Sequence, residues 1–549
     1  MTVVTATVLN ADAGRLDDLY PIVSITVWRE VNRIPHALLE LLDGDPAQRC
    51  FALSDTAFFA PGADIEIKLR LEGQPGGEDR TVFKGKVLRH AVQASVRGSL
   101  LRVELKDAAV KLTQGRQSRV FRDQTDADLI GKLITDAGLK KGPLAATPPR
   151  HAEIVQYQCA DWDFLLARAE ANGLLVAVTD GSIALRAVDL TPAPKQRFDF
   201  GISDLQELDI EIDAGQQLPG LAGSAWNLAD LAATAPVQAK AFALKQGNLS
   251  GATLATALGF ADGQLLHPVP LVDKELQAWA DARLMRSRMS LIRGRVSAAG
   301  LPALQLLDII EIDGVGKRFN GRTAVTGLCH RVDIGGWRTD VQFGLSPRAG
   351  VAPDDVQPPP AAGLLPGIAG LQLGVVDLFE QDPDEQYRVK VLLPGVGAAA
   401  GPVWARLAAA DAGQERGCFF RPEPGDEVVV GFFNQDPRQP VVLGALHSAK
   451  NKPPADCATL SDKNLAKGIV TRAGTRILFN DADKPSVTVA TPGGNQIVID
   501  DDKQSIAITD QHGNSITMNQ DGITLDSAKD LLLKAAGKVQ VESASVDMK

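Results

Sequence analysis

From about residue 476 to the C-terminus, apolar side chains come in pairs separated by one residue. The pairs are Ile477/Phe479, Val487/Val489, Ile497/Ile499, Ile506/Ile508, Ile516/Met518, Ile523/Leu525, Leu531/Leu533, Val539/Val541 and Val546/Met548. In a strand, residues i and i+2 face the same side. Each pair therefore predicts one short strand with two inward side chains, followed by a turn of Gly, Asn, Asp, Ser or Lys. The steps between pairs are 10, 10, 9, 10, 7, 8, 8 and 7 residues. Repeats this short cannot bury a core alone; they stack or find partner chains. A single-chain solenoid needs coils of roughly 18 residues or more. The spacing favours an intertwined prism of three chains, each donating one strand per layer, over a solenoid or a disordered tail. Such a shaft is stiff and hides its sheet edges.

Upstream the pattern changes. Residues 1–122 are strand-like, with alternation in ADIEIKLRLEG from Asp64 and in LLRVELKD around Val103 and Leu105. Residues 123–294 carry helical patterns. TDADLIGKLITDAG has a cap at Thr125, Asp128 three residues on and a stop at Gly138; DWDFLLARAEANG closes on Asn172-Gly173; a third pattern runs from about Asp273 to Gly294. Residues 295–346 are strand-rich again. DIEIKL at Asp64, GKVLRH at Gly85 and LRVEL at Leu101 correspond in order to DIIEID at Asp308, GLCHRV at Gly327 and WRTDVQF at Trp337. This predicts two similar β-barrel units, against the simpler account of two unrelated meanders. The Pro-rich stretch 347–370 reads as a stiff linker. Residues 371–450 predict a five-stranded OB-like barrel, whose last hairpin turns at Asn434-Gln435-Asp436-Pro437. A neck spans 451–470 and the needle 471–549. The fold class expected is mainly β with a few helices: a two-barrel hub, an OB-like barrel and an intertwined trimeric β-prism.

Composition narrows the partners. The 549 residues carry a net charge of −10 with no basic run, which disfavours nucleic acid or an anionic membrane surface. Five widely spaced cysteines without a CxxC motif read as reduced thiols rather than a disulfide framework. The N-terminus, MTVVTATVLNADAG, lacks a basic region followed by an apolar one, and no run of 18 apolar residues occurs. Synthesis in the bacterial cytoplasm without a signal peptide is expected.

The order of parts resembles the VgrG-like central spike of contractile injection systems: type VI secretion tips, extracellular phage-tail-like particles and phage hub-spike proteins. CADWDFLLARAEANGLLV (159–176) looks like the family's hub helix. FNGRTAVTGLCHRVDIGGWRTDVQF (319–343) looks like the strands closing its second hub barrel. GDEVVVGFFNQDPRQPVVLGALHSAKNKPP (425–454) is similar to the end of its OB domain and the neck, and RAGTRILFND (472–481) and PGGNQIVIDD (492–501) to its first needle repeats. The resemblance implies a homotrimer whose six hub barrels adapt a sixfold inner tube protein to a threefold needle. It implies contacts with baseplate proteins, a PAAR-type tip protein bound near Val546 and Met548, and effectors carried on the spike or behind it. Such a needle punctures membranes rather than entering them. Unlike in some members, neither a C-terminal effector domain nor a lysozyme domain before the needle is expected, and His512 stands alone where some tips carry a His-x-His pair.

Chemistry is thin by comparison. No GxSxG, HExxH or phosphate-binding loop occurs, and the histidines at 36, 90, 151, 267, 330, 447 and 512 are scattered. His90 and His330 fall at matching places in the two barrel units, where strand-end packing outweighs a catalytic pair. Glu380, Asp382, Asp384 and Glu385, like Asp500, Asp501 and Asp502, read as solvated turns rather than cation sites. Arg406 and Arg421 raise strand binding by the OB-like barrel, but Tyr387, Trp404, Phe419 and Phe420 read as its core. No catalysis, cofactor or metal is therefore expected. The competing reading is a phage-tail-type cell-wall hydrolase or a trimeric receptor-binding adhesin. The first needs a catalytic acidic pair, the second a globular head after the stalk.

Overall fold

The computed structural model describes residues 3–548 except 73–77, 97, 204, 228–229, 269, 351–355, 357–360, 362–364, 398 and 400. Half of the 347–370 linker expectation lies outside the described residues. The chain divides into two compact units, 1–358 and 359–549.

The first unit holds the strands β1 (Val4–Asn10), β2 (Ile22–Glu30), β3 (His36–Leu42), β4 (Asp64–Leu71), β5 (Arg80–Ser95) and β6 (Gly98–Lys106). Later in the chain come β7 (Leu205–Ile212), β8 (Ile292–Ala299), β9 (Ile309–Asp313), β10 (Gly321–Asp333) and β11 (Gly336–Phe343). The internal repeat is plain in their pairing. The first module runs β2-β3-β6-β5-β4. The second runs β7-β8-β11-β10-β9, the same path through the same chain order, all antiparallel. The second module reaches back to Leu205, well before the expected boundary at 295, because the alternating LQELDIEI segment supplies its first strand. The modules are continuous: β10 pairs with β2, Gly327 to Glu30 through Val332 to Ile25, so both belong to one 14-stranded sheet. That sheet wraps two cores. Ile25, Leu39, Ile67 and Val103 lie in one, and Val296, Ile310, Val325 and Phe343 in the other.

Between the modules, α1 (Asp126–Asp136) and α2 (Asp161–Ala171) form, and α3 (Asp273–Met289) lies within the second module, between β7 and β8. The Thr125 hydroxyl accepts from the Asp128 N–H while the Asp128 carboxylate accepts from the Thr125 N–H, so the expected cap is a complete capping box. Leu129, Ile130, Leu133 and Ile134 of α1 pack with Trp162, Phe164 and Leu165 of α2 over the Leu174–Thr179 strand. The third helix ends at Met289, short of Gly294, because β8 begins at Ile292. The 123–294 region also holds more strand than the helical patterns predicted, including Arg150–Cys159 and the Leu174–Ala187 hairpin.

In the second unit, β12 (Gln372–Val376), β13 (Val389–Leu392), β14 (Val403–Leu407), β15 (Glu427–Phe432) and β16 (Pro440–Ala445) close a barrel in the order β12-β13-β14-β16-β15. This is an OB-type closure around Val376, Val389, Val391, Ala405, Val428, Val430 and Val442. The expected turn before β16 is present, with Asn434 and Gln435 both at positive φ.

Candidate functional site

The remaining strands form the site. They are β17 (Ala466–Val470), β18 (Arg476–Asn480), β19 (Ser486–Ala490), β20 (Gln496–Asp500), β21 (Ser505–Thr509), β22 (Ser515–Asn519) and β23 (Gly522–Asp526), an antiparallel meander in sequence order. The sheet starts at Ala466, inside the expected neck. Register sets pair against pair: Ile477 faces Val489, Val489 faces Ile497, Ile497 faces Ile508, Ile508 faces Ile516, and Ile516 faces Leu525. The other member of each pair aligns likewise through Phe479, Val487, Ile499, Ile506, Met518 and Ile523. Because the alternation is kept across six strands, all twelve apolar side chains share one face. The residues between them, Leu478, Thr488, Val498, Ala507, Thr517 and Thr524, lie on the other.

On one chain this apolar stripe is uncovered. Ile497 and Ile499 are 43% and 44% exposed, and Ile477, Phe479, Val489, Ile506 and Ile508 are close to that. Aliphatic surface of this extent, arranged in a straight band, marks an interface. The last three pairs adopt no strand within the chain. Val546 and Met548, the expected tip-binding residues, are 58% and 90% exposed.

The other candidates resolve into structural roles. The Asp382 carboxylate accepts from the N–H groups of Asp384, Gln386 and Arg388, and from the Arg388 guanidinium at 2.6 Å. Those bonds to Arg388 hold it well below the usual carboxylate range. It anchors a turn, as the sequence implied. Asp500 likewise accepts from the N–H groups of Asp502 and Lys503.

His90 Nε2 lies 2.7 Å from Ser54 Oγ and its Nδ1 2.9 Å from the Phe59 carbonyl. His330 is buried, its Nδ1 2.9 Å from Thr339 Oγ1. The two histidines do not quite correspond. Each long strand has a bulge, at Leu88 in β5 and Thr326 in β10; His90 follows its bulge by two residues and His330 by four. They sit on the same strand face one pleat apart. His512 is exposed beside Gln511.

The aromatic residues of the OB-type barrel correct the sequence reading. Tyr387, Phe419 and Phe420 are exposed rather than core, because they lie in connections and not on inward strand positions. Trp404 is half-buried on the barrel's outer face, with Arg388 and Lys390 over its ring. Arg421 stacks on Phe379 and Phe419, and Arg406 on Phe433.

Sequence reasoning missed one buried polar centre. Asp126 at the start of α1, His151, Arg168 of α2, Asn172 at its C-terminal cap, and Glu275 of α3 converge. Arg168 binds Asp126 at 2.6 Å and Glu275 at 3.0 Å, and Asn172 donates to Asp126 at 2.8 Å. Burial works against the Asp126 charge, but the Arg168 guanidinium, with Asn172 and His151, outweighs it and lowers its pKa. The capping-box motif marked α1, but nothing local marked its partners 25 to 149 residues away.

Residues 1–333 match the Alg8 N-terminal domain, 372–447 the type VI secretion system/phage-baseplate injector OB domain, and 486–549 the phage baseplate V C-terminal trimerisation domain. The chain is 36% identical over 114 residues to the type VI secretion system spike protein VgrG2a of Pseudomonas aeruginosa, covering 20% of this chain and 14% of that protein. It is 37% identical over 75 residues to the actin cross-linking toxin VgrG1 of Vibrio cholerae, covering 13% and 7%. The matched segments are thus a small part of these relatives. Among solved structures, it is similar to a tail protein from Neisseria meningitidis MC58 (TM-score 0.45, 13% identity, 65% of this chain and 99% of that one). It is also similar to an E. coli type VI secretion component (TM-score 0.39, 13% identity, 80% and 99%). Through its N-terminal 333 residues the chain belongs to the Alg8 N-terminal domain family, and with the injector OB and trimerisation domains that follow it is a VgrG-like central spike protein of contractile injection systems.

Proposed function

We propose that three copies of this chain assemble into a spike that couples a sixfold inner tube to a threefold, membrane-puncturing needle. The observation that carries this is the aligned apolar stripe of β17–β23. One chain leaves it open, and three such faces turned inward make a closed triangular shaft. The trimerisation-domain match over the same segment supports it. Two modules of identical strand path per chain become six in a trimer, which supports the symmetry adaptation. The needle's work is mechanical, without catalysis. A PAAR-type tip protein caps the chain end at Val546 and Met548, baseplate proteins surround the hub, and effectors travel on or behind the spike. Assembly takes place in the cytoplasm before the particle is released or fired.

Light scattering on the full-length protein and on a 1–465 truncation tests the reading. A mass near three chains that falls on truncation supports it. A well-folded full-length monomer would sink it.

A further inference from the structure

The barrel β12–β16 wears its aromatic residues on the outside, and they gather on one side of it. Register sets Lys390 of β13 opposite Trp404 of β14, while Val389, Val391 and Ala405 point into the core. Alternation therefore turns Lys390, Trp404 and Arg406 outward. Lys390 Nζ stands 5.3 Å and Arg388 Cζ 5.6 Å from the centre of the Trp404 ring. The connections that lead into β13 and β16 border the same end of these strands, since Val389 pairs with Ala405 and Val441 with Arg406. From the β15–β16 connection, Phe433 lies 5.9 Å from Arg406. From the β12–β13 connection, Phe379 and Tyr387 line a cleft of about 330 Å³. Arg421 lines it too, 5.6 Å from the Phe379 ring and 5.2 Å from that of Phe419.

The volume falls at the lower end of small-molecule sites, roughly 300–1,000 Å³. Three carboxylates, Glu380, Asp382 and Glu385, and three cations, Arg388, Lys390 and Arg421, line the cleft, so it holds no net charge. Arg388 is bound by Asp382 and Asp384, and Lys390 by Glu380. A polyanion draws its affinity from cations free to neutralise phosphates, and this cleft offers it little beyond Arg421.

The geometry points to this side of the barrel as a binding site for an uncharged oligosaccharide. A pyranose ring has a face of C–H groups and a rim of hydroxyls. The C–H face packs on an exposed aromatic ring, which Phe379, Tyr387 and Phe433 supply. The hydroxyls need acceptors and donors side by side. Carboxylates only accept and guanidinium or ammonium groups only donate, so ion pairs at the foot of the rings meet both needs without net charge. The second and third strands of such a barrel, with its first and last connections, are where the architecture presents a ligand surface. All these residues belong to one chain, so the inference stands apart from the trimeric reading.

Calorimetric titration of the full-length protein with chitohexaose and with cellohexaose tests this, beside a deoxythymidine oligonucleotide as the polyanion. Saturable binding of at least one hexaose is expected, and a preference between them tells whether an acetamido group is read. Phe379→Ala/Tyr387→Ala should weaken it at least about tenfold through the loss of two stacking rings. Tyr157→Ala, at an exposed ring of the hub, should leave it unchanged. Unaltered native mass and thermal midpoint show that each variant is folded; where the double variant fails this check, Tyr387→Ser alone takes its place. No binding of either hexaose at millimolar concentration overturns the inference. So does hexaose binding that survives the ring substitutions, or oligonucleotide binding that requires the same rings while the hexaoses do not bind. Each result reads the same for one chain or three, so the native mass remains a separate test of the trimer.

Discussion

Arg168 is a residue whose loss is costly to the hub. It serves two carboxylates, Asp126 and Glu275, on two different helices. Removing one member of a buried ionic group leaves uncompensated charge, at about 3–5 kcal/mol. Arg168→Met should lower the stability of the first unit by that order in urea unfolding, while a double Arg168→Met/Asp126→Asn variant recovers part of it. His330 gives the hub an acid sensitivity. Burial, with the Arg29 charge nearby, pushes its imidazole down to about 3, whereas an unfolded chain protonates it near 6.5. Between those values the unfolded chain binds the extra proton, so stability falls as pH drops from 6.5 towards 3, by up to about 1.4 kcal/mol per unit. His330→Gln should flatten the dependence of the urea midpoint on pH between 6.5 and 4. At this scale the sequence was legible where chemistry is local. Thr125 announced its cap and Asp382 its turn. Tyr387, Phe419 and Phe420 misled, because an aromatic residue beside a strand carries no mark of facing in or out. The Arg168 centre was invisible because its members meet only in space.

Elements were read best where period and turn agreed. All six pairs from Ile477 to Leu525 lie on strands in the expected phase, since a slip of one residue would have turned the stripe outward. What period could not tell was the pairing partner, which depends on whether each turn reverses the chain. The stripe itself yields a contrast. Burying an isoleucine contributes about 1.5–3 kcal/mol. Ile508→Asp places a charge there three times per assembly and should weaken trimerisation at least about a thousandfold in sedimentation. Thr517→Lys, on the opposite face, should leave the mass unchanged. The repeated modules were legible from β4, β5 and β6 against β9, β10 and β11. The first two members of the second module, β7 and β8, were masked by the segment inserted between them.

For the whole molecule, the sequence resolved the order hub, barrel and needle but not where the hub's second module begins, because Leu205 is separated from Ile292 by a long excursion. The division at 358 offers a test of independence. A protease site placed within residues 351–360 should, after cleavage, leave 359–549 at three times its single-chain mass, since the stripe lies wholly in that part. The shared hub sheet has a further consequence, in time rather than space. Strand β2 is made by residue 30, but its outer neighbour β10 is complete only at residue 333. At about 5–20 residues per second, that interval of about 300 residues leaves the β2 edge without its partner for roughly 15 to 60 s on every ribosome. On a polysome many such edges wait side by side, so the yield of spike is set in part by whatever shields that one strand while the rest of its chain is still being made.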